Sequence, residues 1–274
     1  MNWNPWLESA AVTLLAVAGV LLGRWFSRLP QPYWTLGYFI PLALVFIYGA
    51  AMRHPALAFV SPVSWMMMGR NKFAVIGFIA TMVLTTPLSR LRLKRVRILV
   101  SVLMALMVVH MSVWPFLAPA FNRKYLVGLQ TRMDSNGICH QSNDYNCGPA
   151  AAVTGLRRLG FPAEEGEIAI LAHTSSATGT PPDILARALQ QRYGRAGLVS
   201  DYRVFHSLAE LKREEGITLA VIKYTFWLDH YVTVLEVTNN EVVVGDPSLG
   251  LGKFSDEEFQ RKWRFVGVVL QRRP

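Results

Sequence analysis

The chain has 274 residues, a formal charge of +10, 52% hydrophobic residues and two cysteines. Two cysteines cannot build a disulfide framework, and neither a CxxC pair nor a Cys/His metal-ligand spacing occurs. The positive charge does not mark a nucleic-acid binder: its densest group, Arg90, Arg92, Lys94, Arg95 and Arg97, lies between two apolar runs, and the second half lacks a basic helix with interleaved aromatics.

Four apolar segments, near 9–26, 33–51, 73–89 and 98–120, predict an all-α membrane domain over residues 1–122. The second and fourth are long enough to cross a hydrocarbon core, which takes about 20 residues; the first and third are shorter. Glu8 and the lack of a basic N-terminal region argue against a cleaved signal peptide. The stretch 55–68, opened by Pro55 and broken by Pro62, reads as an interfacial loop. Trp3, Trp6, Tyr33, Trp34, Trp65 and Trp114 stand near segment ends, where interfacial aromatics belong. Arg24, Arg28 and the dense basic group lie on one side of the predicted spans. Arg53, Arg70, Lys72, Arg123 and Lys124 lie on the other. The positive-inside bias then makes the chain a multi-pass cell-membrane protein, embedded in the lipid bilayer, with both termini and the second domain exoplasmic. His110 falls inside the fourth span. With no acidic partner in any span it reads as a neutral imidazole bonded to a neighbouring helix rather than as a proton relay. No GxxxxGK[ST] phosphate loop is present, so no ATPase of the chain's own is expected.

Residues 123–274 read as a separate domain. Helices are predicted at 148–159, 164–172, 182–192 and 207–214, and strands at 217–224, 230–237, 241–246 and 265–271. Ser255 and Glu258 form a capping box that opens a short helix through Trp263. Helices followed by a run of strands predict an α+β domain with a largely antiparallel sheet.

The run Gln141-Ser142-Asn143-Asp144-Tyr145-Asn146-Cys147-Gly148-Pro149 places a cysteine where a polar loop meets an apolar helix. Pro149 sits just inside that helix, where its missing N–H costs little. A helix N-terminus carries partial positive charge and free N–H groups, and a thiol there has its thiolate favoured. The plainer reading is a small buried residue at a helix start. Cys139 and Cys147 could also pair, which would disable a nucleophile.

A thiol nucleophile needs a base, and the base an orienting group. His140, His173, His206 and His230 are the histidines of this half. His230 opens a predicted strand, and Asp246 ends the next one across a turn at Asn239-Asn240. A three-residue loop, pairing Val237 with Glu241, puts the two on one face. A two-residue loop puts them on opposite faces. Gln141 and the Cys147 N–H are candidate donors to an oxyanion.

Taken together, the Gln141-to-Pro149 run, Gly179-Thr180 before a helix, His230-Tyr231-Val232, Asp246-Pro247 and a terminal helix with Phe259 and Trp263 resemble the bacteriocin-processing peptidase family. These are papain-like cysteine peptidases that cut after double-glycine leaders. The resemblance covers roughly 125–274. It implies that Cys147 is the nucleophile, His230 the base and acid, Asp246 the orienter and Gln141 the oxyanion donor, with a peptide or protein substrate and no metal or organic cofactor. Asn146 departs from the Asp of many exporter-type relatives. A second departure is the set of four spans with no nucleotide site, which leaves any transporter as a separate partner. The reading is a membrane-anchored cysteine peptidase. Two rivals share the fold: an acyl or amide transferase, and a peptide-binding module that does not cut.

Overall fold

The computed structural model describes residues 5–53, 63, 71–224, 228–238 and 240–273. The stretch 55–68 apart from Val63, together with Trp3 and Asn239, lies outside the described residues. The chain divides into two compact units, Met1–Ala118 and Pro119–Pro274.

The first unit is helical. It contains α1 (Pro5–Ser27), a 3-10 turn (Tyr33–Tyr38) leading into α2 (Phe39–Arg53), α3 (Asn71–Thr85) and α4 (Lys94–Val108). A π-helical turn (Val109–Val113) carries α4 into α5 (Trp114–Val127), so the last helical run extends past the residue 120 at which the apolar pattern stops. Trp6–Ser27, Tyr33–Ala51, Asn71–Arg90 and Lys94–Val127 are each long and apolar enough to cross a membrane. Gly19 and Gly23 of α1 lie against Phe78, Thr81, Met82 and Thr85 of α3; a Cβ at either glycine would collide with that helix. Close approach through small residues is how helices associate where water supplies no driving force. Arg90 of the basic group donates to the Leu29 carbonyl (2.6 Å) and lies over the Trp34 ring. His110 sits exposed in the π-helical turn.

The second unit begins with a short ladder of β1 (Arg132–Met133) and β2 (Cys139–His140). Three helices follow: α6 (Cys147–Arg158), α7 (Glu165–Leu171) and α8 (Pro182–Tyr193). Then come β3 (Leu198–Val204), α9 (Leu208–Lys212), β4 (Ile217–Lys223), β5 (Asp229–Val237), β6 (Glu241–Asp246), β7 (Gly250–Ser255), α10 (Asp256–Lys262) and β8 (Trp263–Arg272). The six longer strands form one antiparallel sheet in the order β3-β8-β4-β5-β6-β7. The unit is therefore α+β, as the pattern of elements predicts.

Two interactions seat α6 on the sheet. Its Ala-rich turns are buried, and Gly155 lies against Ile217, Leu219 and Leu270. Thr233 of β5 donates its hydroxyl to the Ala151 carbonyl (2.9 Å). A core of Phe205, Leu208, Val232, Val244, Phe259 and Trp263 is packed with α9 and α10. Fully burying side chains of this size stabilises by about 1.5–3 kcal/mol each. Ser255 caps α10 by accepting from the Glu258 N–H, as the sequence signature requires.

Candidate active site

Residue 147 is the first of α6. The helical ladder opens with the Ala150 N–H donating to the Asn146 carbonyl (3.0 Å), and Pro149 falls where no donor is needed. Gly148 is required by contact: a Cβ there would stand 2.7 Å from the Thr180 Cβ. Thr180 is itself held, its carbonyl accepting from the Tyr231 hydroxyl (2.9 Å). The Gly179-Thr180 pair noted in the sequence thus sets the wall beside the start of α6.

His230 and Asp246 meet through Nε2 and Oδ1 at 2.8 Å, and both side chains are buried. The hairpin reaches this arrangement by an unexpected route. Val237 pairs with Val242 rather than Glu241, and the Thr238 N–H donates to the Glu241 carbonyl. That is the two-residue register, which alone would set His230 and Asp246 on opposite faces. The register then shifts by one between Val234 and Glu236, leaving Leu235 unpaired, and Thr233 lies opposite Gly245. From that point on, even-numbered residues of both strands share a face. The bulge re-aims the strand end, a recurrent use of bulges beside functional sites.

The Cys147 sulfur lies near enough to the same imidazole to raise its pKa. With Nε2 engaged by Asp246, Nδ1 is the nitrogen left for the sulfur. Burial disfavours the imidazolium, yet the bonded Asp246 carboxylate and the facing sulfur outweigh it and raise His230 to about 9. Burial would raise Asp246, but its bond to His230, that cation's charge and the Ser248 and Leu249 amides hold it below the usual carboxylate range. The Tyr224 ring tilts against the imidazole, 5.6 Å between centroids.

Gln141 donates its backbone N–H to the Pro247 carbonyl (3.0 Å), tying the loop before α6 to the turn after Asp246. Gln141 lines a cleft of ≈ 840 Å³ together with Cys147, His230, Asp144, Tyr224 and Ser248. Its side-chain Oε1 is buried without a partner among the described residues. The four residues singled out in the sequence therefore converge. His140 also lines the cleft, beside Asp134 at 3.6 Å. His173 has a left-handed backbone (φ 53) after α7, and His206 precedes the cap of α9. Cys139 and Cys147 are unpaired. Burial first, then the nearby Glu165 charge, pushes the Cys139 thiol up to about 12, so that thiol stays protonated and unreactive.

Comparison with known proteins follows the same half of the chain. The model of the Peptidase C39 family matches residues 135–274. The chain belongs to the Peptidase C39 family. It is a cysteine-type peptidase. An uncharacterized protein of Methanothermobacter marburgensis is 30% identical over 133 residues, 48% of this chain and 85% of the relative. One of Methanothermobacter thermautotrophicus is 30% identical over 142 residues, 52% of this chain and 92% of the relative. Among solved structures, the peptidase domain of Streptococcus ComA, a bi-functional ABC transporter of a quorum-sensing pathway, aligns at 22% identity and TM-score 0.42, over 49% of this chain and 96% of that domain. A double glycine motif protease from an AMS/PCAT transporter, in complex with its leader peptide, aligns at 16% identity and TM-score 0.42, over 53% and 93%.

Two parts of this C39 site escaped the sequence. Tyr224 follows β4 with no motif around it. Glu165 reads as an ordinary acid in the first turn of a helix, like its neighbour Glu164, which pairs with Arg157. Its different role emerges only from the fold.

Proposed function

We propose that the chain is a membrane-anchored peptidase in which Cys147 attacks a peptide carbonyl and His230 takes the thiol proton, then returns it to the leaving amine. Asp246 orients the imidazole and favours its cation. The Cys147 N–H and the Gln141 side chain hold the oxyanion, and water releases the acyl-enzyme. The observation that carries this reading is the placement of one buried imidazole between a carboxylate and a thiol at a helix N-terminus.

The substrate class we propose is a peptide with a double-glycine leader, on the strength of family membership and of the motif named for the AMS/PCAT protease. A separate transporter would then be the partner, the class of protein from which both neighbouring peptidase domains come. The four long apolar helices anchor the protein in the bilayer, and the basic group around Arg90–Arg97 keeps that loop cytoplasmic, which leaves the peptidase unit exoplasmic.

The test is hydrolysis of synthetic double-glycine leader peptides by the full-length protein in detergent. Native protein should cut after the second glycine and Cys147→Ala should not. Cleavage that survives Cys147→Ala removes the nucleophile, and failure of the native protein to cut any peptide removes the activity. Sidedness is read by a membrane-impermeant thiol reagent on intact cells; labelling of Cys147 only after lysis reverses the topology.

A further inference from the structure

Glu165 is fully buried in the first turn of α7, and among the described residues it makes no ion pair. Its carboxylate instead accepts three hydrogen bonds from the loop before α6. Oε1 takes the Ser142 N–H (2.9 Å) and the Asn146 amide Nδ2 (3.1 Å), and Oε2 takes the Ser142 hydroxyl (2.6 Å). The Glu165 backbone N–H is in turn fixed by the Thr131 hydroxyl (2.8 Å). Burying a carboxylate is costly unless hydrogen bonds to its charged form compensate, so these bonds hold strongly or not at all. The two residues it grips are the neighbour of Gln141 and the neighbour of Cys147. The third restraint on the same loop is the bond from Gln141 N–H to Pro247.

We propose that Glu165 is a positioning residue: its carboxylate clamps both ends of the 141–147 loop and so fixes the spacing between the oxyanion donor and the nucleophile. This rests on the peptidase reading of the cleft. Asn146 is the matching half of the device, because an amide can donate to the buried carboxylate whereas a second carboxylate would repel it.

Three readouts on the full-length protein in detergent test the clamp. Glu165→Ala should lower kcat for peptide hydrolysis by about tenfold to a hundredfold with KM within about twofold, the signature of misplaced groups rather than lost binding. Alkylation of Cys147 by iodoacetamide needs the sulfur but no oxyanion donor, and should stay within about threefold of native. Backbone hydrogen exchange across 141–147 should accelerate by about tenfold or more while α6 and the sheet keep their protection. Glu165→Gln should restore most of kcat, since its amide oxygen can replace Oε1 and the Ser142 hydroxyl can turn to accept from its nitrogen. Unchanged exchange across 141–147, a fall in alkylation that matches the fall in kcat, or a Gln variant as impaired as the Ala variant each overturns the proposal. Where Glu165→Ala does not fold, Asn146→Asp carries the test: turnover should fall at neutral pH and recover in part when Glu165→Gln is added, and no recovery overturns it. If the native protein cuts no peptide, the peptidase reading fails, and exchange and alkylation still decide the clamp.

Discussion

The two units of this chain place apolar side chains in opposite directions. In the first, Leu42 and Phe46 of α2 are 64% and 76% exposed, and only 6% of the most apolar window of the last span is buried. In the second, Trp263 and Phe259 are fully enclosed. Apolar area on the scale of the first unit is not tolerated against water but is at home against lipid tails, where each helix satisfies its own backbone. One unit is stabilised by close helix contacts at residues such as Gly19 and Gly23, the other by a packed core. The chemistry we propose lies wholly in the second.

The sharpest way to break this contrast is Trp263→Ala. Its indole is enclosed between Phe205, Phe259 and Phe265 and donates to the Val266 carbonyl (3.0 Å). Truncation should cost about 3–5 kcal/mol and melt the second unit at markedly lower temperature. A loss under about 1 kcal/mol in chemical denaturation would show that the second unit does not depend on its core.

Next in size is Gln141→Ala. Removal of one oxyanion donor should lower kcat by about a hundredfold or more and leave the melting temperature close to native. Steady-state kinetics on a leader peptide measures this; a native rate would leave Gln141 a mere lining residue.

The two units differ in legibility because different properties encode them. The four long apolar helices are visible as bulk composition. In the second unit the central strands β4, β5, β6 and β8 were visible because they are buried. The two edge strands were not. β3 interleaves Asp201 and Arg203 with half-buried neighbours, and β7 reads Gly-Leu-Gly-Lys-Phe-Ser. Edges are kept charged, short or glycine-bearing against unwanted pairing, and this erases their pattern. The convergence of Cys147, His230 and Asp246 was legible only through the family resemblance, since the hairpin alone left their faces open. The register that achieves it was not, since nothing in Val234-Leu235-Glu236 announces a bulge. Glu165 was invisible for a similar reason: its partners Ser142 and Asn146 are brought to it by the packing of α7 beside α6.

The third effect is a pH dependence confined to the second unit. The folded-state value of His230, about 9, lies above its ordinary 6.5, so protonation favours the fold. That contribution is complete below 6.5 and disappears as pH rises through about 9. Asp246 has the opposite sign: held below the ordinary carboxylate range, it contributes above that range and the contribution is lost as pH falls through it. Denaturation midpoints of the second unit should therefore decline on both sides of neutrality, and peptide hydrolysis should decline as the His230 imidazolium is lost near pH 9. Asp246→Asn removes the strongest partner that favours the cation and should move the alkaline decline to lower pH. An unmoved alkaline limb would mean that a group other than His230 sets it.

The smallest effect expected is the most direct probe of the first unit. Leu42 lies at the middle of the Tyr33–Ala51 span, pointing outward. Were it enclosed by protein, Leu42→Ala would cost about 2–5 kcal/mol. Facing lipid, it leaves no cavity, so thermal unfolding and hydrolysis should both match native protein. Leu42→Asp is the informative partner substitution, because a carboxylate at the centre of a span costs about 3 kcal/mol of insertion. It should reduce the fraction of protein that resists carbonate extraction while the protein that does insert keeps native kcat. A large Ala effect would place Leu42 in a protein interface. An Asp variant that stays fully integrated would instead remove Tyr33–Ala51 from the set of membrane spans. Neither result would touch Cys147, and that independence is what the division into two units predicts.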